Sequence, residues 1–258
     1  MPLRRWSGSA YVPANLARSG VSTVPQFGYI WDGSKYVQVW PDVVYNYYYT
    51  DDFNRANGGL GTNWSRYASD IDSRIVSNVA QAGAVAAATG RQGCGWMIHK
   101  DSMLSDNVRI KATIAASSPT KSIQTYTSLF MSANTPYTNT ANRLLMCHIP
   151  WTGGPLAELM VVNGNQFGVG LSVPTGSPSE TLDQSSEGVV AGDVIEFTRN
   201  GTSVIVLKNG LEWMSATTSA PLTGASNRRW GFVTEAEYPF LQAQYSSPGI
   251  DKIEAGNF

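Results

Sequence analysis

Charge is scarce in this chain. Asp, Glu, Lys and Arg together make up 14% of its 258 residues and leave a net charge of −1. Nonspecific nucleic-acid binding needs a basic footprint, so that class is excluded. Cysteine is nearly absent: Cys94 and Cys147 are the only two, far apart in sequence. Separation alone does not establish a disulfide, and synthesis in a cytoplasm predicts buried free thiols. No apolar run approaches the ~20 residues of a transmembrane helix, so no membrane insertion is expected. No apolar stretch follows Arg4 and Arg5, so the N-terminus does not read as a secretory signal.

Catalytic motifs are missing as well. His99 and His148 are the only histidines, and there is no Gly-x-Ser-x-Gly elbow, Walker loop or dinucleotide fingerprint. Cys147 and His148 are adjacent on an expected strand, where neighbours point to opposite faces, so they do not make a joint zinc site. A retaining glycosidase needs two carboxyls about 5–5.5 Å apart, which a Glu-x-Asp-x-x-Glu strand delivers, and no such pattern occurs. Asp70-Ile71-Asp72 and Glu235-Ala236-Glu237 each place two carboxylates on one strand face, and both read as solvated pairs. The chain is therefore read as a non-enzyme with no required cofactor.

What is present is β-forming sequence. Hydrophobic residues make up 42% of the chain, enough to fill a core. Trp6-Ser7-Gly8-Ser9-Ala10-Tyr11-Val12 returns as Trp31-Asp32-Gly33-Ser34-Lys35-Tyr36-Val37, identical at five of seven positions. A polar-Gly pair between an aromatic and Tyr-Val predicts a tight hairpin in each copy. Such small hairpins need a partner surface. Trp6, Tyr11, Trp31 and Tyr36 are therefore candidate assembly residues. In the tyrosine-rich run Val43–Tyr49, Tyr47 and Tyr48 read either as interface residues or as a stacking platform for sugars.

From Asp70 onward, short apolar runs alternate with turns. Strands are expected over 71–79, 82–88, 108–114, 128–131, 143–149 and 156–162. An Asn163-Gly164 turn then precedes a strand over 166–173, and 174–187 reads as an exposed loop. Val194–Arg199, Ser203–Lys208 and Leu211–Trp213, joined by Asn200-Gly201 and Asn209-Gly210, predict an antiparallel meander. Phe232-Val233 reads as a late strand. Tyr137, Trp151, Trp213 and Tyr238, with Trp230, are candidate aromatics for sugar stacking, against the alternative of core packing.

The stretch Asp51-Asp52-Phe53-Asn54-Arg55-Ala56-Asn57-Gly58-Gly59-Leu60-Gly61-Thr62-Asn63-Trp64 resembles the opening of concanavalin A-like (laminin-G-like) jelly-roll domains in minor tail proteins of tailed phages, most of all those of actinobacteriophages. Gly192-Asp193, Asn200-Gly201, Asn209-Gly210 and Trp230-Gly231-Phe232 are similar to the second half of the same domain. The repeated Trp-x-Gly-Ser unit is similar to a motif at the start of many phage tail and fibre proteins.

The resemblance implies an all-β chain: an N-terminal attachment and oligomerisation region over 1–49, then a concanavalin A-like antiparallel β-sandwich (jelly roll) over 50–258. It implies a structural protein of the virion, in the tail rather than the head, made in the host cytoplasm and released by lysis. It further implies neighbouring virion proteins as partners, self-association as a homotrimer, and a host cell-surface glycan as ligand. Calcium is the one ion it brings in, with Asp51, Asp52 and Asn54 supplying some of the six to eight oxygens such an ion takes. A head fibre or decoration protein with the same domain, and a secreted lectin or glycoside hydrolase, stand as the alternatives.

Overall fold

In the computed structural model of the chain, the described residues are 4–6, 11–13, 28–31, 36–40, 46–69, 71–84, 91–116, 125–134, 143–163, 180–221, 223–238 and 244–257. They divide between two compact units, Met1–Tyr45 and Asn46–Phe258.

In the first unit, β1 (Arg4–Trp6) pairs with β2 (Tyr11–Pro13), and β3 (Gly28–Trp31) pairs with β4 (Tyr36–Trp40), both antiparallel. The register sets Trp6 opposite Tyr11 and Trp31 opposite Tyr36. The repeated Trp and Tyr thus occupy directly opposed register positions in both copies.

The second unit opens with β5 (Asn46–Asp51), β6 (Gly58–Gly59), β7 (Trp64–Ser69), β8 (Ser73–Val76), β9 (Val79–Ala82), β10 (Arg91–His99) and β11 (Val108–Ala115). It continues with β12 (Tyr126–Ala133), β13 (Arg143–Pro150), β14 (Ala157–Asn163), β15 (Glu180–Ser185), β16 (Val194–Asn200), β17 (Ser203–Lys208) and β18 (Leu211–Thr217). It closes with β19 (Arg229–Tyr238), β20 (Tyr245–Ser246) and β21 (Gly249–Asn257). The first sheet runs β15-β14-β13-β12-β19-β10-β7, with β20 on β19. The second runs β18-β17-β16-β11-β21-β9-β8-β6, with β5 also on β21. All of these strand pairings are antiparallel.

Alternation explains the sandwich. In β11, every second residue from Val108 is buried, so Ile110, Ala112 and Ile114 face the first sheet. Ile195 and Phe197 of β16, Val204 and Val206 of β17, and Ile253 and Ala255 of β21 join them from the second sheet. Leu129, Leu145, Cys147, Leu159, Trp230 and Phe232 meet them from the first. Each such side chain contributes about 1.5–3 kcal/mol on burial. The first sheet is buried on its other face too, where Cys94, Trp96, Ile98, Phe130, Leu144, Met146, Met160, Val162 and Val233 form a second apolar cluster.

Several expectations change. The boundary drawn between 49 and 50 falls instead between Tyr45 and Asn46, because β5 pairs with β21 and belongs to the sandwich. The strand expected over 71–79 is broken at Ser77 and Asn78, both left-handed (φ 54° and 64°), which turn β8 into β9. The 174–187 stretch, read as a loop, contains β15, an edge strand paired with β14. The expected strand over 166–173 lies outside the described residues, as does most of 82–88. The Asn-Gly meander is present as β16-β17-β18, with Gly201 and Gly210 at positive φ (60° and 79°).

Candidate functional site

The Asp51–Trp64 loop is built on one carboxylate. Asp51 Oδ1 accepts from the Phe53 backbone N–H at 2.9 Å and from Arg55 Nη1 at 2.6 Å. Its Oδ2 accepts from Arg55 Nη2 at 2.9 Å and from Trp64 Nε1 at 2.8 Å. Arg55 also donates to the Leu60 carbonyl at 2.5 Å. Burial pushes the Asp51 carboxyl up, but the hydrogen bonds from Arg55, Trp64 and Phe53 outweigh it and hold the pKa below the ordinary value.

This clamp holds Phe53 at φ 51°, a costly conformation for an aromatic, with its ring fully buried beside Trp64 and Phe232. Asp52 Oδ1 accepts from the Asn54 N–H at 3.1 Å, a local Asx turn. A shallow depression of about 690 Å³ lies over the loop, lined by Thr50, Asp52, Arg55, Thr62, Asn63 and Lys252 among others. Of the calcium candidates Asp51, Asp52 and Asn54, Asp51 is engaged by the Arg55 guanidinium and Asp52 Oδ1 by the Asn54 N–H. Among the described residues, no group of three His, Cys, Asp or Glu side chains is arranged to hold a metal.

The aromatic candidates scatter. Trp151 is 4% exposed and Trp230 1% exposed, both in the core between the sheets. Their indole N–H groups donate to the carbonyls of Ser246 and Asp101. They are packing residues, not stacking platforms. Trp213 is half-buried against the same core under Lys208, whose Nζ stands 5.8 Å from its ring centre. Tyr238 packs on a small cluster of Ile71, Ala82 and Ala236. Tyr137 lies outside the described residues, and so do the side chains of Trp6, Tyr11, Trp31, Tyr36, Tyr47 and Tyr48. Both cysteines are free and buried; burial pushes the Cys147 thiol up.

A polar cluster that residue spacing did not reveal lies on the outer face of the first sheet. Cys147 faces the core, so His148 faces outward. The register places His148 between Ser128 of β12 and Glu158 of β14, and Glu158 beside Gln184 of β15. Gln184 Nε2 donates to Glu158 Oε1 at 2.7 Å, and Glu158 Oε2 stands 3.6 Å from His148 Nδ1. Tyr126 stacks over His148 with ring centres 4.6 Å apart. The backbone N–H of Tyr126 donates to Glu235 Oε2 at 2.9 Å.

The outer face thus divides along its strands. The apolar cluster occupies one half, and Tyr126, Ser128, His148, Glu158, Gln184 and Glu235 occupy the other. Glu235 and Glu237 are 3% and 9% exposed, not solvated as expected. Asp72 of the other carboxylate pair is exposed and lies 3.3 Å from Arg66.

Burial pushes the His148 pKa down, and Glu158 opposes that only in part. His148, with Gln184, holds Glu158 below the ordinary carboxylate value against burial. Burial first, then the Glu158 and Glu235 charges, raise the Tyr126 phenol to about 12. Tyr126, Glu158 and Gln184 keep some exposure and offer an aromatic ring, a carboxylate and an amide, whereas Ser128, His148 and Glu235 are buried.

No protein-family model matches the sequence, and no curated protein matches it. Solved structures do. One, from work on endo-acting O-glycanases with which members of the human gut microbiota initiate mucin breakdown, is 9% identical with a TM-score of 0.51, over 82% of this chain and 99% of that one. The carbohydrate recognition domain of Emp47p is 11% identical with a TM-score of 0.48, over 81% of this chain and 95% of its own. The carbohydrate-binding module CBM66 from Bacillus subtilis is 8% identical with a TM-score of 0.46, over 78% of this chain and 97% of its own. At such identities the likeness is one of fold, and with the sheet order it identifies the second unit as a concanavalin A-like antiparallel β-sandwich.

Proposed function

We propose that this chain is a non-enzymatic glycan-binding protein, carried on a phage virion as a minor tail protein. The observation that carries the glycan reading is the polar half of the first sheet's outer face. There, Tyr126, Glu158 and Gln184 present stacking and hydrogen-bonding groups from three strands, with His148 buried against Tyr126. The fold is compatible with it: one solved structure of similar fold comes from work on endo-acting O-glycanases that initiate mucin breakdown. The virion assignment is supported by the resemblance of the Asp51–Trp64 and Trp-x-Gly-Ser stretches to phage tail proteins. The same resemblance supports self-association, as a trimer, through the two hairpin repeats.

The test is a glycan array probed with the purified full chain, together with immunogold labelling of purified virions. Saccharide binding that falls at least about tenfold in Glu158→Ala, as loss of a charged hydrogen-bonding partner predicts, supports the site. Label on the tail supports the location. Absence of the chain from virions removes the tail assignment. Release of reducing ends from a bound polysaccharide, abolished by Glu158→Gln or Glu235→Gln, would establish a hydrolase in place of a binding protein.

A further inference from the structure

We infer that His99 is an acid-sensitive latch: its neutral ring fixes the link over residues 100–102, between β10 and β11, and its protonation releases that link. The inference is independent of the glycan reading. The observation is the direction of one hydrogen bond. The backbone N–H of Asp101 lies 3.1 Å from His99 Nδ1. A backbone N–H only donates, so Nδ1 accepts and the ring proton sits on Nε2. The Asp101 carbonyl lies 3.4 Å from the same nitrogen. One residue thus offers Nδ1 a donor for its neutral form and an acceptor for its charged form.

The link ties three parts of the sandwich together. Lys100 N–H donates to the Asn63 carbonyl of the opening loop at 2.9 Å. The Tyr49 hydroxyl of β5 donates to the Ser102 carbonyl at 3.1 Å. From β19, Trp230 Nε1 donates to the Asp101 carbonyl at 3.1 Å, and Arg229 to the carbonyls of Lys100 and His99. The ring itself is buried, stacked on Trp230 at 4.7 Å and enclosed by Tyr49 and Trp64. Lys100 and Asp101 are exposed, so the link, not the ring, gives way.

Protonation turns Nδ1 into a donor. The Asp101 N–H then loses its acceptor and faces another N–H. The new Nδ1–H competes with Trp230 for the Asp101 carbonyl, and the Asp101 carboxylate stands 4.0 Å away as a second acceptor. Among the described residues, the titratable and charged groups facing the ring are Tyr49 and Asp51 of β5, Lys100 and Asp101 of the link, and Arg229 of β19. Trp64 of β7 and Trp230 of β19 carry no charge. Asp51 is itself paired with Arg55. Burial pushes the His99 pKa down, with Asp101 and Asp51 opposing and Lys100 reinforcing. The latch is therefore complete above the unfolded histidine value of about 6.5 and is lost as pH falls below it.

The test is ¹⁵N NMR of the full chain labelled at histidine, titrated from about pH 7.5 to about 4.5 across the ordinary histidine value. Hydrogen exchange by mass spectrometry is read at both ends of the titration. His148→Gln assigns the two ring signals, and the exchange measurement stands without that variant. At neutral pH the His99 ring should carry its proton on Nε2 alone. On protonation, exchange protection over residues 99–103 should fall at least about tenfold more than protection in β16 and β17. His99→Gln supplies a side-chain carbonyl for the same N–H and does not titrate, so it should remove that pH dependence. A neutral ring protonated on Nδ1, or a ring still neutral at the acid end, overturns the latch. So does protection over 99–103 that falls only in step with β16 and β17.

Discussion

Asp51 accepts four hydrogen bonds, two from one guanidinium, and is the residue on which the opening loop depends. Its side chain is 11% exposed, while that of Arg55 is 37% exposed. Asp51→Ala strands the Trp64 indole and releases Phe53 from its left-handed conformation. The expected loss is about 2–4 kcal/mol, given the worth of charged hydrogen bonds and the cost of leaving partners unpaired. Asp52→Ala should stay within about 0.5 kcal/mol, as surface changes do. Urea unfolding distinguishes the two, and millimolar calcium should shift neither curve.

The histidines set the acid response. Burial lowers the pKa of His99 and of His148, each opposed in part by an acidic neighbour. Each is therefore protonated more readily unfolded than folded. The stability they contribute is complete above about pH 6.5 and is lost as pH falls below that unfolded value toward the folded ones. Tm should fall between pH 7 and 5, before most carboxylates titrate, and His148→Gln should flatten its share of the slope. A Tm flat across that range would mean the folded rings titrate as the unfolded ones do.

Elements were legible where their residues alternate. β11, β16 and β17 alternate apolar and polar side chains, and the Asn-Gly turns joining the last meander supply positive φ at little cost. The strands that went unread lack that contrast. β21 sits at the centre of the second sheet, yet a bulge opposite Thr113 and Ile114 breaks its period, and Gly249 and Gly256 lower its β propensity. β10 is buried on both faces and interrupted by Gly93 and Gly95. The Ser77-Asn78 turn contains no glycine; Asn tolerates the left-handed region and Ser does so less readily.

Gly231 shows why one glycine is required inside β19. A Cβ there would strike the Met97 carbonyl and lie 2.8 Å from Phe130 Cζ. Gly231→Ala should cost at least about 2 kcal/mol through overpacking. Gly210→Ala, at φ 79° with open space around it, should cost only about 1 kcal/mol. Thermal unfolding of the two variants measures the difference between a blocked strand contact and a strained turn.

At the scale of the molecule, the sandwich begins at Asn46, because β5 fills an edge of the C-terminal strand β21. A chain starting at Asn46 should unfold within a few degrees of the full protein. One starting at Asp52 loses both β5 and the Asp51 clamp and should unfold well below it. Light scattering on the full chain and on the Asn46 chain tests the assembly proposal: a trimer that becomes a monomer places self-association in the first unit. A trimer that persists would place it in the sandwich.

The sequence by itself determined the all-β class, the paired hairpin repeats, the late meander and the opposite facing of Cys147 and His148. Those features rest on local turns and a two-residue period, which act within a few residues of chain. Only the tertiary structure decided that Asp51 binds Arg55 and Trp64 instead of an ion. Only it buried Trp151 and Trp230, and brought Tyr126, His148, Glu158, Gln184 and Glu235 onto one face. Those residues come from five strands spread over more than 100 positions, and which strands become neighbours is set by packing two sheets around a shared core, not by any spacing along the chain.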